Sequence, residues 1–393
     1  HFYHTMAWYG DPENVQKIRD EYNVGAGAGD QSLCLNRTYY EEMGSPKIDT
    51  PDQLYDYLYA LHQKHPDVTM PIIPYYVSWN STKDAVNFFY RMYGGADWLY
   101  EDESNNIHIC VDDPRYKQAL QMMNKMYRSG LFTKESFSGA YDIISNNLRN
   151  MNTFAYVGQD WQWFSLLRDG DKEGSPVLPI EVPAAVPREQ IKLKDLQKSS
   201  LGSTPGVFIS ENCYNKKRAL EYIAFRYTEE SQIAERFGIE GSAWERNPDD
   251  GMIQWTQAVK DFEAENGWQA GSEKYGYNNG VHSWFVTLDV TLLESTASRY
   301  YIQQYNGTLN EKYMSNERIY DLTKRISDSK VKSKYENFVK AASEAIIRCL
   351  QAESEADFES EYSRYLDEAQ KANQKELEAY FTENFQKWKA KGY

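Results

Sequence analysis

The chain has 393 residues, 58 acidic against 43 Lys and Arg, and a formal net charge of -15, a balance that argues against a nucleic-acid partner because phosphate binding needs clustered basic side chains. At 41% hydrophobic it has ample material for a core and a length suited to two or three domains or one large bilobed unit, while no apolar run approaches the roughly 18 residues of a membrane span. Tyrosine outnumbers phenylalanine 32 to 16 in a chain of mean hydropathy -0.74, so many rings sit near water, where an amphipathic face suits a polar ligand.

The opening HFYHTMAWYG has no initiator Met, basic n-region or capped element, and reads as the interior of a longer sequence with any targeting segment upstream. VGAGAGD, Val24 to Asp30, alternates glycines without the Lys-Ser/Thr of a phosphate loop and reads as a flexible loop. SLCLN, Ser32 to Asn36, is a short strand. Thr50-Pro51-Asp52-Gln53 carries the N-cap, first-turn proline and capping-box glutamine of a helix start, and Leu54, Leu58 and Leu61 give one apolar face, predicting a helix over 51 to 64.

MPIIPYYV, Met70 to Val77, is strand-like with an irregular end at Pro74. Helical spacing resumes at Ala85, Phe88, Phe89 and Met92 and stops at Gly94. Asp113-Pro114 opens a further helix bearing Leu120, Met123 and Tyr127 and ending at Gly130. Phe154 to Val157 is a buried strand that Gly158 ends. The region 170 to 203, rich in proline, is an irregular connection with a strand around Leu178 to Val182, and GVFIS, Gly206 to Ser210, is another strand. Asn215 caps a helix with Ala219, Leu220, Ile223 and Tyr227; EESQIAERFG continues as a second. Trp268 to Gly280, rich in Gly, Tyr and Asn, reads as a surface excursion, and the last sixty residues, from about Lys332, as helices. Alternating strands and helices favour an α/β class.

Catalytic traces are few. The six histidines form no H-E-x-x-H, and His62 with His65 at a helix end reads as a solvated pair rather than a metal site. No G-x-S-x-G or P-loop is present. Cys34, Cys110, Cys213 and Cys349 are widely spaced without a C-x-x-C pair, and read as buried thiols; three disulfide connectivities remain formally open. No cofactor is implied. Asp160 and Glu245 could in principle act as a glycosidase pair. The stronger signal is aromatic clusters beside polar side chains in connections: AWYGD (Ala7 to Asp11), PYYVSWN (Pro74 to Asn80), QDWQW (Gln159 to Trp163) and EGSAWE (Glu240 to Glu245). A sugar ring offers an apolar face for stacking and hydroxyls for Asp, Asn, Glu and indole N–H, which is what these segments supply.

The order of TYYEEMGSPKIDTPDQLYDYL, VDDPRYKQALQMMNKMYRSGL, NTFAYVGQDW, CYNKKRALEYIAFRYTEESQIAERFGIEGSAWE and SEADFESEYSRYLDEAQKANQKELEAYF resembles the extracellular solute-binding proteins of family 1, of the large lipoprotein type in Firmicutes. That resemblance implies a bilobed α/β fold of the periplasmic-binding-protein type II class: two lobes, a hinge, a sugar clamped between them and delivered to the transmembrane subunits of an ABC importer. It also implies an extracellular, lipid-anchored monomer that is not an enzyme. The matched region begins after several strand-helix units of the family, so the first lobe is expected to be incomplete. Residues 1 to 31 and about 203 to 290 fall to that lobe; 32 to 202 and the C-terminal helices, 291 to 393, fall to the second, with SLCLN and TPGVFIS as hinge crossings. The ligand residues the resemblance implies are Asp160, Trp161 and Trp163 in the loop after Phe154 to Val157, Tyr75, Tyr76 and Trp79 after the Pro-Tyr strand end, Trp244 and Glu245 after GIEG, and Trp8 and Tyr9 in AWYGD. The competing class is a glycan hydrolase using paired carboxylates; a sensing receptor of the same fold is the third.

Overall fold

The structure is a computed structural model and describes residues 32–74, 82–138, 147, 150, 152–158, 177–191, 209–226, 228–248, 253–277, 319, 322–323 and 326–390. The chain divides into two compact units: His1–Gly25 with Ser200–Gln304, and Ala26–Ser199 with Tyr305–Tyr393.

The larger unit is built on a four-stranded sheet. β1 (Ser32–Asn36) lies inside it, antiparallel to both β5 (Ala155–Gly158) and β6 (Val177–Ile180), and β2 (Ile72–Ile73) pairs parallel with β5, giving the order β2-β5-β1-β6. Leu33, Cys34 and Leu35 are all buried, as are Ala155, Tyr156 and Val157. Successive residues of a strand point to opposite faces, so unbroken burial means that both faces of the sheet are covered. Asn36 ends β1 by turning it into α1 (Arg37–Glu42): its Oδ1 accepts from Thr38 N at 3.1 Å while its Nδ2 donates to the Thr153 carbonyl at 3.1 Å.

α2 (Pro51–Lys64) forms as its sequence dictates. Thr50 Oγ1 accepts from Gln53 N and Gln53 Oε1 accepts from Thr50 N, a reciprocal capping box, and Leu54, Leu58 and Leu61 are fully buried. α3 (Thr82–Met92) packs on α4 (Pro114–Arg128). Between them β3 (Leu99–Glu101) and β4 (Ile107–Ile109) make a hairpin whose turn is held by Asp102, which accepts from the backbone of Ser104 and Asn106 and from the His108 ring. A single helical turn, α5 (Glu135–Ser138), follows α4. The C-terminal residues form α10 (Ser329–Leu350), α11 (Glu355–Lys371) and α12 (Gln374–Ala390). α10 lies against α11, α3 and α4, and α12 covers β4, where Glu378 accepts from Ile109 N at 3.0 Å. Cys34, Cys110 and Cys349 are buried thiols and Cys213 is half-buried.

The smaller unit has four described helices, α6 (Lys216–Arg226), α7 (Glu229–Phe237), α8 (Gln257–Asn266) and α9 (Trp268–Tyr275), and a two-stranded antiparallel sheet of β7 (Trp244–Arg246) and β8 (Ile253–Trp255). Its core gathers Ile233, Phe237, Ala243, Trp244, Ile253, Trp255, Val259 and Tyr277. Two expectations change here. Residues 268 to 275 are a helix rather than an excursion: Gly271 lets α9 approach α8, since an added Cβ would overlap the Tyr277 hydroxyl and lie 2.8 Å from Glu263 Cγ, and Gly276 ends the helix in the left-handed region at φ 73°. Within GVFIS, Ile209 and Ser210 are outside any strand, and Gly206 to Phe208 lie outside the described residues. The strand expected over Met70 to Val77 is confined to Ile72–Ile73 among the described residues; Pro74 has no N–H to extend the ladder.

Candidate ligand-binding site

Strand direction decides where the larger unit presents its connections. β2 and β5 are parallel, with Ile72 beside Ala155 and Ile73 beside Tyr156. β6 is antiparallel to β1, as β5 is, so β2, β5 and β6 all run the same way and end at one edge of the sheet, where Ser32 begins β1 opposite Gly158. The carboxyl edge of parallel strands is where open α/β sheets present groups to ligands. The chain leaving β2 there continues into Tyr75, Tyr76 and Trp79, and the chain leaving β5 continues into Asp160, Trp161 and Trp163. Two of the aromatic clusters thus follow neighbouring strand ends in sequence; the aromatic and acidic residues of both clusters, like Trp8 and Tyr9, lie outside the described residues.

The third strand leaving this edge, β6, carries a feature that the sequence reading passed over. Glu181 follows it directly and pairs with Arg188 at 2.8 Å; Arg188 also reaches Asp49 at 3.4 Å and donates to the Val182 carbonyl, and Lys47 meets Asp49 at 2.5 Å. The four charges alternate and are partly solvated, so they hold the connection to the start of α2 and add little energy. Their clue in sequence is acidic and basic residues flanking Pro183 and Pro187, a pattern without periodicity.

Trp244 and Glu245 stand in the smaller unit and are divided by the strand's period of two. The Trp244 indole is 5% exposed and faces inward near Phe237, with Nε1 donating to the Gly238 carbonyl at 3.1 Å. Glu245 is exposed, and its Oε1 accepts from Gln254 Nε2 at 3.1 Å across the ladder. Trp244 therefore serves the core of its own unit, and Glu245 is the member of the pair open to a solute.

Among the described residues no cluster of three His, Cys, Asp or Glu side chains could hold a metal ion, and no helix is long and apolar enough to cross a membrane. Several pKa displacements follow from packing. Burial pushes the Tyr93 and Tyr100 hydroxyls up to about 12, with Asp52 and Asp113 respectively adding to the effect. Burial also acts to raise the Asp113 carboxyl, but Arg115, the Tyr90 hydroxyl and a backbone N–H outweigh it and hold it below the usual carboxylate range.

Comparison with known proteins agrees with this architecture. No family model and no curated protein matches the chain. Among solved structures, an HMO-binding, ABC-transporter-associated solute-binding protein from Bifidobacterium longum infantis is similar at TM-score 0.59 and 16% identity, over 93% of this chain and 74% of that one. The ABC-transporter substrate-binding protein FusA of S. pneumoniae, in complex with kestose, is similar at TM-score 0.60 and 14% identity, over 96% and 82%. The N-glycan transport solute-binding protein NgtS from Streptococcus pneumoniae is similar at TM-score 0.56 and 15% identity, over 98% and 82%. At such identities the likeness is one of fold, and that mixed α/β fold is the one these carbohydrate-binding components of ABC transporters have.

Proposed function

We propose that this protein is an extracellular oligosaccharide receptor of an ABC importer, binding its solute between two lobes without chemistry and handing it to a membrane permease. The observation that carries this reading is that β2 and β5 are parallel neighbours ending at one edge of the sheet and that each is followed in sequence by a cluster of aromatic and polar residues, together with solved proteins of the same fold that carry sugars. In this reading the second lobe, 32 to 202 and 291 to 393, supplies Asp160, Trp161, Trp163, Tyr75, Tyr76 and Trp79. The first lobe, 1 to 31 and 203 to 290, supplies Glu245, Trp8 and Tyr9, with Trp244 fixing the strand that carries Glu245. Aromatic faces stack on pyranose or furanose rings, and carboxylates accept from hydroxyls. Closing on the ligand is a hinge motion, which the ligand drives by binding the closed state more tightly. In this reading the protein is a lipid-anchored monomer of family 1 at a Gram-positive surface.

Calorimetry against a panel of neutral and acidic oligosaccharides, run on the full-length protein, tests the reading. Saturable binding of at least one sugar, with the sugar recovered intact, is expected. A blank panel alongside binding of peptides would overturn it, and shortened products would replace it with a hydrolase.

A further inference from the structure

The aromatic segment that follows β2 is bounded on both sides by described residues. Ile73, at the end of β2, lies beside Tyr156 of β5, and residues 74–81 then lead into α3, whose first turn is Thr82, Lys83 and Asp84. Lys83 is an unexpected residue there. A cation in the first turn opposes the helix dipole, and its side chain is only 16% exposed, where an unpaired ammonium is costly. Three groups compensate. Asp84 Oδ1 accepts from Lys83 Nζ at 2.8 Å, the Trp98 ring lies 5.6 Å from Nζ, and the Asp97 carboxylate is near enough for its field to act on the ammonium. Burial acts to lower the Lys83 pKa, but Asp84, Tyr335 and Asp97 outweigh it and hold it above the ordinary lysine value, so the side chain stays charged.

The compensating groups are themselves fixed. One Asp97 oxygen accepts from Asn87 Nδ2 at 2.7 Å and from Trp98 N at 2.6 Å, which ties the middle of α3 to the approach to β3. The Trp98 ring, 3% exposed, packs on Phe338 of α10 with 6.0 Å between centroids, and Tyr335, one turn before Phe338, meets Phe381 of α12. Helices from the far end of the chain thereby locate the start of α3. An ion pair in such a place adds little stability, because desolvation offsets the attraction; a methionine of similar reach would pack on Trp98 but would not select Asp84 and Asp97. We propose that Lys83 is a positioning residue for ligand binding, which through Asp84, Asp97 and the Trp98 ring fixes the point where the segment bearing Tyr75, Tyr76 and Trp79 re-enters the fold. The proposal rests on the reading above that this segment meets the sugar. A binding segment ordered in advance loses less freedom on association, so loosening one of its ends weakens affinity without any change in the groups that touch the ligand.

Lys83→Met tests it against the native protein, with Asn124→Leu as a second destabilised variant, since Asn124 serves the end of α10 and not the start of α3. Chymotrypsin is applied to the folded, ligand-free proteins and the cuts after Tyr75 and Tyr76 are followed by mass spectrometry. Calorimetry with an oligosaccharide that binds the native protein gives the affinity per folded molecule. The expected result is that Lys83→Met speeds those two cuts by more than about fivefold relative to cuts elsewhere and weakens binding about tenfold, while Asn124→Leu does neither at a similar loss of melting temperature. Asp97→Asn keeps an acceptor for Asn87 and Trp98 N and only weakens the hold on Lys83; it should show the same selectivity in smaller measure, and it carries the test if Lys83→Met does not fold. If cleavage rises alike at all sites, or affinity in the folded fraction is unchanged, Lys83 serves core packing alone and the proposal falls. If no sugar binds the native protein the receptor reading falls, and Lys83 as the holder of the segment stands or falls on the cleavage alone.

Discussion

The Trp244 indole donates to the carbonyl oxygen of Gly238, 3.1 Å away, and Gly238 itself sits at φ 79° with the Tyr275 carbonyl 2.8 Å from where a Cβ would stand. One tryptophan thus ties the end of α7 to β7, across a turn that no other residue type accommodates without strain. Trp244→Ala should cost about 3 to 5 kcal/mol through the cavity it leaves, and Trp244→Phe about 1 to 3 kcal/mol through an unpaired buried carbonyl. Glu245→Ala, on the open face, should stay within about 0.5 kcal/mol yet weaken ligand binding. Urea unfolding and calorimetry on the three variants check the division: a Glu245→Ala protein with unchanged affinity removes Glu245 from the site.

Acid should act on the larger unit through Asp113. This carboxylate caps α4 by accepting from Arg115 N at 2.8 Å, accepts from the Tyr90 hydroxyl at 2.6 Å, and pairs with the Arg115 guanidinium at 2.5 Å. Its pKa is lower in the folded protein than in the unfolded chain, so the unfolded chain takes up the proton first as pH falls. The stability it contributes is complete above the unfolded value of about 3.9 and is lost as pH drops through the folded value. Asp113→Asn keeps a capping oxygen but cannot ionise. Its stability should change less than the native protein's between about pH 4 and pH 2, read by urea midpoints at each pH; parallel curves would show that other carboxylates set the acid limit.

Much of the larger unit was legible because its signals are local. Thr50, Pro51 and Gln53 are the cap, first turn and box of α2, and Asp113 with Pro114 supplies the cap and first turn of α4; each works through atoms within four residues. The smaller unit was read less well where glycine serves packing. Gly271 and Gly276 suggest a loop by composition, yet one permits close contact with α8 and the other caps α9. In the candidate site, the aromatic clusters were legible as residue types. That β2 and β5 are parallel neighbours was not, because strand pairing between residues 83 apart leaves no local trace. Nor could Trp244 and Glu245 be separated before the strand's facing was known.

Asn124 should prove necessary to the packing of the C-terminal helices. It is 1% exposed, and its Nδ2 donates to the carbonyls of Leu350 at 3.0 Å and Ala352 at 2.8 Å, the orphan acceptors where α10 ends. Its Oδ1 accepts from Arg128 Nε at 3.0 Å. Asn124→Leu fills the same space and leaves both carbonyls unpaired, so it should cost about 2 to 4 kcal/mol. Amide exchange should rise most at the α10 to α11 junction; a uniform rise across the unit would instead mean a general loss of core packing.

The aromatic cluster after β5 carries the sharpest test. If Trp161 stacks on a sugar ring while Asp160 accepts from a hydroxyl, the two contribute differently. An aromatic contact is worth about 0.5 to 1.5 kcal/mol beyond its area burial, and the area itself adds about 25 cal/mol for each Å² removed from water. Trp161→Ala should therefore weaken binding at least about tenfold, at 1.4 kcal/mol per decade, with little change in melting temperature. Asp160→Asn keeps the shape and still offers an acceptor, so for a neutral sugar it should cost less affinity than Asp160→Ala, which removes a hydrogen bond to a charged group worth about 1.5 to 3 kcal/mol. A core role for Trp161 makes the opposite demand: its truncation would cost about 3 to 5 kcal/mol of stability, and affinity would fall only through unfolding. Melting temperature and ligand affinity measured on one Trp161→Ala sample separate the two, and a large stability loss with unchanged affinity in the folded fraction ends the stacking role.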